Sequence, residues 1–146
     1  MNLEEITARL NQLRELSGQL DVSESQRKGM IGLVAEYTNQ FINGLSTVSG
    51  FSEKQPGSLA IGNGGIPLEQ LLSSYQSEVV ETGINAASGT HLGYIPGGGI
   101  FAAALADFIA AVTNPYAGVY YASPGAVTIE NEVIHWLKSI FSFPAD

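Results

Sequence analysis

Residues able to do chemistry are few in this sequence, and most of them fall in two loops. Pro96-Gly97-Gly98-Gly99 stands directly before an apolar run. A glycine turn that opens a helix presents free amides, and free amides can bind an anion. The run lacks the Gly-Lys-Ser/Thr of a phosphate loop and does not follow a strand as a dinucleotide fingerprint would, so a turn that allows close backbone packing is the favoured reading. His91 precedes this turn and can reach a pocket, whereas His135 lies beside Trp136 in a helical stretch and suits a surface role. Neither histidine has a partner at metal-ligand spacing, so no metal site is expected. Ser123 lacks the G-x-S-x-G elbow of a nucleophile, and its place before Pro124 fits a helix N-cap. Asp107, inside an apolar helix, fits a structural hydrogen-bond network better than a catalytic base. Tyr94, Tyr116, Tyr120 and Tyr121 flank one helix from both sides, and rings with polar tips suit pockets and interfaces alike. These two loops are the candidate site, and the residues alone name no ligand for it.

The elements around the loops are helical by their periodicity. Leu3, Ile6, Leu10, Leu13, Leu16 and Leu20 recur at steps of three and four, the stripe of an amphipathic helix. Ser23 and Gln26 have capping-box spacing and start a second helix, which carries Met30, Leu33, Val34, Tyr37 and Phe41 and stops near Asn43-Gly44. Two such helices joined by a few residues suggest an antiparallel hairpin or a clasp onto a partner. A loop over 44–65 leads to Pro67, suited to a first helical position, and to the stripe Leu68, Leu71, Leu72, Tyr75 and Val79, ending near Gly83. The apolar helix after Gly99 has no polar face, so it should be surrounded, and Thr113-Asn114-Pro115 stops it. Ser123-Pro124 opens a last helix, with Glu130 and Glu132 placed near its favourable start. No repeat and no alternating strand pattern of useful length interrupts this mainly α reading.

Composition narrows the partners. Charged residues are 14% of the chain, against about 25% in ordinary domains, too few to solvate a complete surface. The net charge of −8 and the lack of a Lys/Arg run exclude a nucleic-acid footprint and a polybasic membrane anchor. Cysteine is absent, which removes disulfides and thiol catalysis. The run 99–112 is shorter than the ~20 residues that span a bilayer and contains Asp107. Met1-Asn2-Leu3-Glu4-Glu5 is acidic where a secretory leader is basic, so a cytoplasmic location is expected.

The ordered series His91-Leu92-Gly93-Tyr94-Ile95-Pro96-Gly97-Gly98-Gly99, Leu105-Ala106-Asp107, Asn114-Pro115-Tyr116, Ala122-Ser123-Pro124-Gly125-Ala126, Glu130, Trp136-Leu137 and Phe143-Pro144 resembles the group II pyridoxal-phosphate-dependent amino-acid decarboxylases. These include the aromatic-amino-acid, histidine and glutamate enzymes. The resemblance covers 88–146, while 1–87 is similar only in its amphipathic character. It implies a fold type I homodimer in which 1–87 is a dimerisation arm and 88–146 the truncated start of the large domain, whose α/β core would lie beyond residue 146. It implies a small amino-acid substrate, with Tyr94, Ile95, Pro96 and Gly97 on the substrate side of the pocket and Tyr116 and Gly118 contributed across the dimer. Gly97 and Gly118 replace larger side chains of the aromatic-acid enzymes, which implies an enlarged or reshaped pocket and argues against an aromatic substrate.

In that family pyridoxal 5'-phosphate, held by a lysine, stores the electrons left when carbon dioxide departs. Lys28, Lys54 and Lys138 do not stand in the family's lysine context. The chain alone is therefore expected to hold no cofactor, to contain no catalytic residue and to be inactive. Its partner would be a second copy or the remaining part of the enzyme. The rival expectation is a non-catalytic helical interaction protein from a truncated or split gene. An aminotransferase relative is disfavoured by the segments Tyr94 to Gly99 and Ala122 to Ala126.

Overall fold

A computed structural model describes residues 2–58, 60–94 and 99–144. They form a mainly helical chain of two compact units, Met1–Gly98 and Gly99–Asp146. In the first unit, α1 (Leu3–Ser17) is followed by a tighter 3-10 turn, Gly18–Leu20, and by α2 (Glu24–Gly44). Both helices begin with reciprocal caps. The Asn2 side chain accepts from the Glu5 amide at 2.8 Å, while the Asn2 amide donates to the Glu5 carboxylate at 2.9 Å. Ser23 and Gln26 repeat the arrangement on α2, as their spacing predicts.

Beyond α2 the chain runs through β1 (Phe51–Ser52) to α3 (Leu68–Tyr75), a π turn (Gln76–Val80) and β2 (Gly83–Ile84). The strands pair antiparallel, Phe51 with Ile84 and Ser52 with Gly83. Pro67 is the N-cap of α3 rather than its first helical residue. Its ψ of 144° is extended, and only its carbonyl joins the helix, accepting from the Leu71 amide. α2 packs against α3, so of the two arrangements expected for the first two helices, a hairpin or a clasp onto a partner, the hairpin gives way to a pairing with the third.

The second unit holds α4 (Phe101–Thr113) and α5 (Pro124–Ile140). α4 ends where Asn114 turns left-handed, φ 44° and ψ 53°, a conformation that asparagine tolerates and that the following proline does not extend. Ser123 does occupy the N-cap position of α5, but its hydroxyl makes no capping bond, and its ψ of 75° lies outside the extended range of a normal cap. Because α5 starts at Pro124, Glu130 and Glu132 stand about two turns inside it. The helix dipole acts within the first turn, so the stabilisation expected from these two carboxylates does not apply.

No apolar side chain among the described residues is buried. The α1 stripe from Leu3 to Leu20 is exposed throughout, and so are Phe101, Leu105, Phe108, Ile109 and Val112 of α4, the helix expected to be surrounded. The accessible surface is 12141 Å², whereas two separate compact bodies of these lengths would show about 8,500 Å² together. Order is maintained by caps, helix ladders and local polar contacts.

Candidate functional site

The first candidate loop is held by a relay of hydroxyls. The Gly50 amide donates to Thr90 Oγ1 at 2.9 Å, and Ser88 Oγ lies 2.9 Å from Thr90 Oγ1 and 2.6 Å from the Val48 carbonyl. A serine hydroxyl has one proton, and the short bond to the carbonyl takes it. Thr90 must therefore be the donor between the two hydroxyls, which fixes the direction of the relay from Gly50 to Val48. Ser88 also accepts from the Thr90 amide at 3.2 Å and is only 5% exposed. The Asn85 amide closes the junction on the Gly50 carbonyl at 3.1 Å. At Gly50 a Cβ would stand 3.0 Å from the His91 backbone, so glycine is what lets the two segments approach.

This junction positions His91, whose ring stacks on Tyr94 with centroids 6.1 Å apart and planes 22° from parallel. Tyr94 has φ 63°, a left-handed conformation that costs a bulky residue about 1–2 kcal/mol. Strain of this kind gathers at functional sites. The two rings border an open hollow of about 480 Å³ with Phe51, Ile84 and Thr90. His91 Nε2 is buried without a hydrogen-bond partner, as is Asn85 Nδ2. Of the other positions expected to line the substrate pocket, Ile95, Pro96 and Gly97 lie outside the described residues. Tyr116 and Gly118 belong to the second unit, where the Tyr116 ring lies over the Gly118 α-carbon. Tyr120, Tyr121, Asp107 and His135 are exposed in that unit.

A second cavity, about 640 Å³, lies between α2 and the α3–π segment, lined by Tyr37, Phe41, Leu72, Gln76, Val80 and Glu81 among others. The Tyr37 hydroxyl donates to Gln76 Oε1 at 2.9 Å, and its ring meets Tyr75 edge-on at 6.2 Å. Partial burial raises the Tyr37 phenol above its ordinary range, with Tyr75 and Glu81 adding to the shift. Two carboxylates, Glu78 in the π turn and Glu81 directly after it, anchor the loop that follows β1. Glu78 accepts from the Gly57 amide and from Ser77, and Glu81 from Lys54 at 3.0 Å and from Gln76 at 3.3 Å. These bonds hold both carboxyls below the usual glutamate range, Glu78 chiefly through the Gly57 amide and Glu81 chiefly through Lys54. Neither is a proton donor near neutral pH. Sequence reasoning missed this group, because the π turn has no sequence signal; only the stripe positions of Tyr37 and Tyr75 hinted at it.

The residues present do not fit pyridoxal phosphate. Lys28 pairs with Glu24 at 2.6 Å on the exposed face of α2, Lys54 pairs with Glu81, and Lys138 lies in the last turn of α5. Among the described residues no group of three or more His, Asp or Glu could hold a metal ion, and no helix is long and apolar enough to cross a membrane. No family model, curated protein or solved structure matches the chain.

Proposed function

We propose that this chain serves a pyridoxal-phosphate-dependent amino-acid decarboxylase as its dimer-clasping arm and the opening helices of its fold type I large domain. Tyr94 to Gly97, Tyr116 and Gly118 contribute to the substrate pocket, and the cofactor lysine comes from outside the 146 residues. The observation that carries the reading is the ordered series from His91 to Phe143-Pro144, with its spacing kept throughout. The strained Tyr94 and the uncovered helices support it, since an arm and opening helices bury their apolar faces only against the rest of an enzyme and its partner subunit. The same exposed faces support a second reading, a non-catalytic protein that acts by association alone.

The test is to isolate from the native host the polypeptide that contains this sequence, measure its intact mass and assay it with pyridoxal phosphate. The expected result is a product heavier than 15.4 kDa that releases carbon dioxide and an amine from an amino acid, while the 146-residue chain alone releases none. Amine formation by the purified 146-residue chain would overturn the assignment of the lysine. A native product that decarboxylates no amino acid would overturn the enzyme reading and leave association as the function.

A further inference from the structure

The segment from Asn114 to Ser123 is fixed at both ends. The Asn114 amide bonds the Ala110 carbonyl at 2.8 Å, Pro115 fixes its own φ and restricts Asn114 before it, and the Ala122 and Ser123 amides both return to the Val119 carbonyl, at 3.1 and 3.4 Å. Between these anchors the Tyr116 ring folds onto Gly118. A Cβ at position 118 would stand 2.7 Å from Tyr116 Cζ, 2.7 Å from Oη and 3.1 Å from Cε2, well inside the roughly 3.5–4.0 Å of a favourable carbon contact. The backbone is anchored and the ring is the free end of a side chain, 68% exposed, so the ring would be the part to move. The space that a side chain at 118 would take is already filled by the phenol.

We propose that Gly118 is a positioning residue acting through Tyr116. Lacking a Cβ, it lets the ring lie across its α-carbon, and the wall this loop offers a substrate group is the Tyr116 ring with its hydroxyl. The enlarged pocket expected from a glycine at 118 is thereby refilled from position 116. The proposal rests on the reading of Tyr116 and Gly118 as pocket positions, and it deepens that reading by naming which of the two makes the surface.

The test labels glycine with carbon-13 in the full 146-residue chain and assigns Gly118 by its loss in Gly118→Ala. The Gly118 α-protons should resonate upfield under the ring, stay there in Tyr116→Phe and move downfield in Tyr116→Leu. Equal α-proton shifts in the native chain and Tyr116→Leu would overturn the proposal, whatever the protein's activity. In the native-host enzyme, Gly118→Ala should raise KM several-fold and leave kcat unchanged; an unchanged KM would refute the substrate-facing role. If that enzyme forms no amine while the glycine shift still follows Tyr116, the decarboxylase reading falls and the ring-on-glycine contact stands.

Discussion

Replacing Ser88 with alanine should open the junction between the loop after α2 and the turn that carries His91. The single hydroxyl donates to Val48 and accepts from both the Thr90 hydroxyl and the Thr90 amide. Alanine keeps the volume nearly unchanged but leaves the Val48 carbonyl and both Thr90 donors without this partner. An unsatisfied buried polar group costs about 1–3 kcal/mol. Solvent can reach exposed Thr90 and relieve part of this, so the working figure is about 2 kcal/mol, or about 30-fold in a local opening equilibrium. Native-state amide exchange reads that equilibrium directly. The reporters are the Gly50 amide, bonded to Thr90 Oγ1, and the Asn85 amide, bonded to the Gly50 carbonyl. Both should exchange about 30-fold faster in Ser88→Ala, while amides within α2 stay unchanged. If Gly50 and Asn85 keep native protection, the relay does not hold the junction and the reasoning fails.

Acid should release the loop after β1. Glu78 and Glu81 have folded-state values below their unfolded ones, so their stabilisation is complete above the ordinary glutamate range and fades as pH falls through the lowered values. The Gly57 amide resonance should follow that titration, and a resonance constant from neutral pH into strong acid would refute it. Tyr37→Phe should cost about 1 kcal/mol through the lost bond to Gln76. It should also remove a tyrosine that ionises above the ordinary phenol range from an ultraviolet alkaline titration, and an unchanged titration would exclude the assignment. On α4, Phe108 is 52% exposed and Val112 69%. Burying what each still exposes is worth about 1 kcal/mol, so changing both to glutamine should weaken self-association about 30-fold in sedimentation equilibrium. A monodisperse native monomer at the same concentrations would refute the surface argument.

What the sequence made legible was whatever a few adjacent residues decide. Ser23 with Gln26 marks the start of α2, and Asn114-Pro115 marks the end of α4, because a cap is chemistry completed within one turn. The cap at Asn2 and Glu5 carries the same signal and was open to the same reading. The ladder between Phe51–Ser52 and Gly83–Ile84 was not legible. Two residues per strand are too short for an alternating pattern, and the pairing depends on Ser88 and Thr90 fastening segments about forty residues apart. Nor does any single residue announce the π turn at Gln76–Val80, which sets Gln76 against Tyr37 and Glu81 against Lys54. Of the expected pocket positions, Tyr94 gains a feature absent from the sequence reading, its left-handed backbone, and Gly118 gains another, the Tyr116 ring in the space its side chain would fill.

These findings separate two kinds of order within one chain. Around Ser88 and along the π segment, polar groups find partners inside the first unit, and the geometry there is set by the chain itself. Along α1, α4 and α5 the hydrogen bonds are helical and the apolar faces are open. Isolated helices of about 12–15 residues are marginal in water, and packing of the apolar face is what ordinarily stabilises them. α1 has 15 residues and α4 has 13, so both sit at that margin and depend on burial that the described chain does not provide. A covering surface therefore has to match the leucine stripe of α1 and the apolar surface of α4 around its one carboxylate, Asp107. An enzyme body with its partner subunit and an associating protein both offer apolar surface of this kind, so the open faces are common to the two readings. What ranks the decarboxylase proposal ahead of association alone is the ordered series from His91 to Phe143-Pro144.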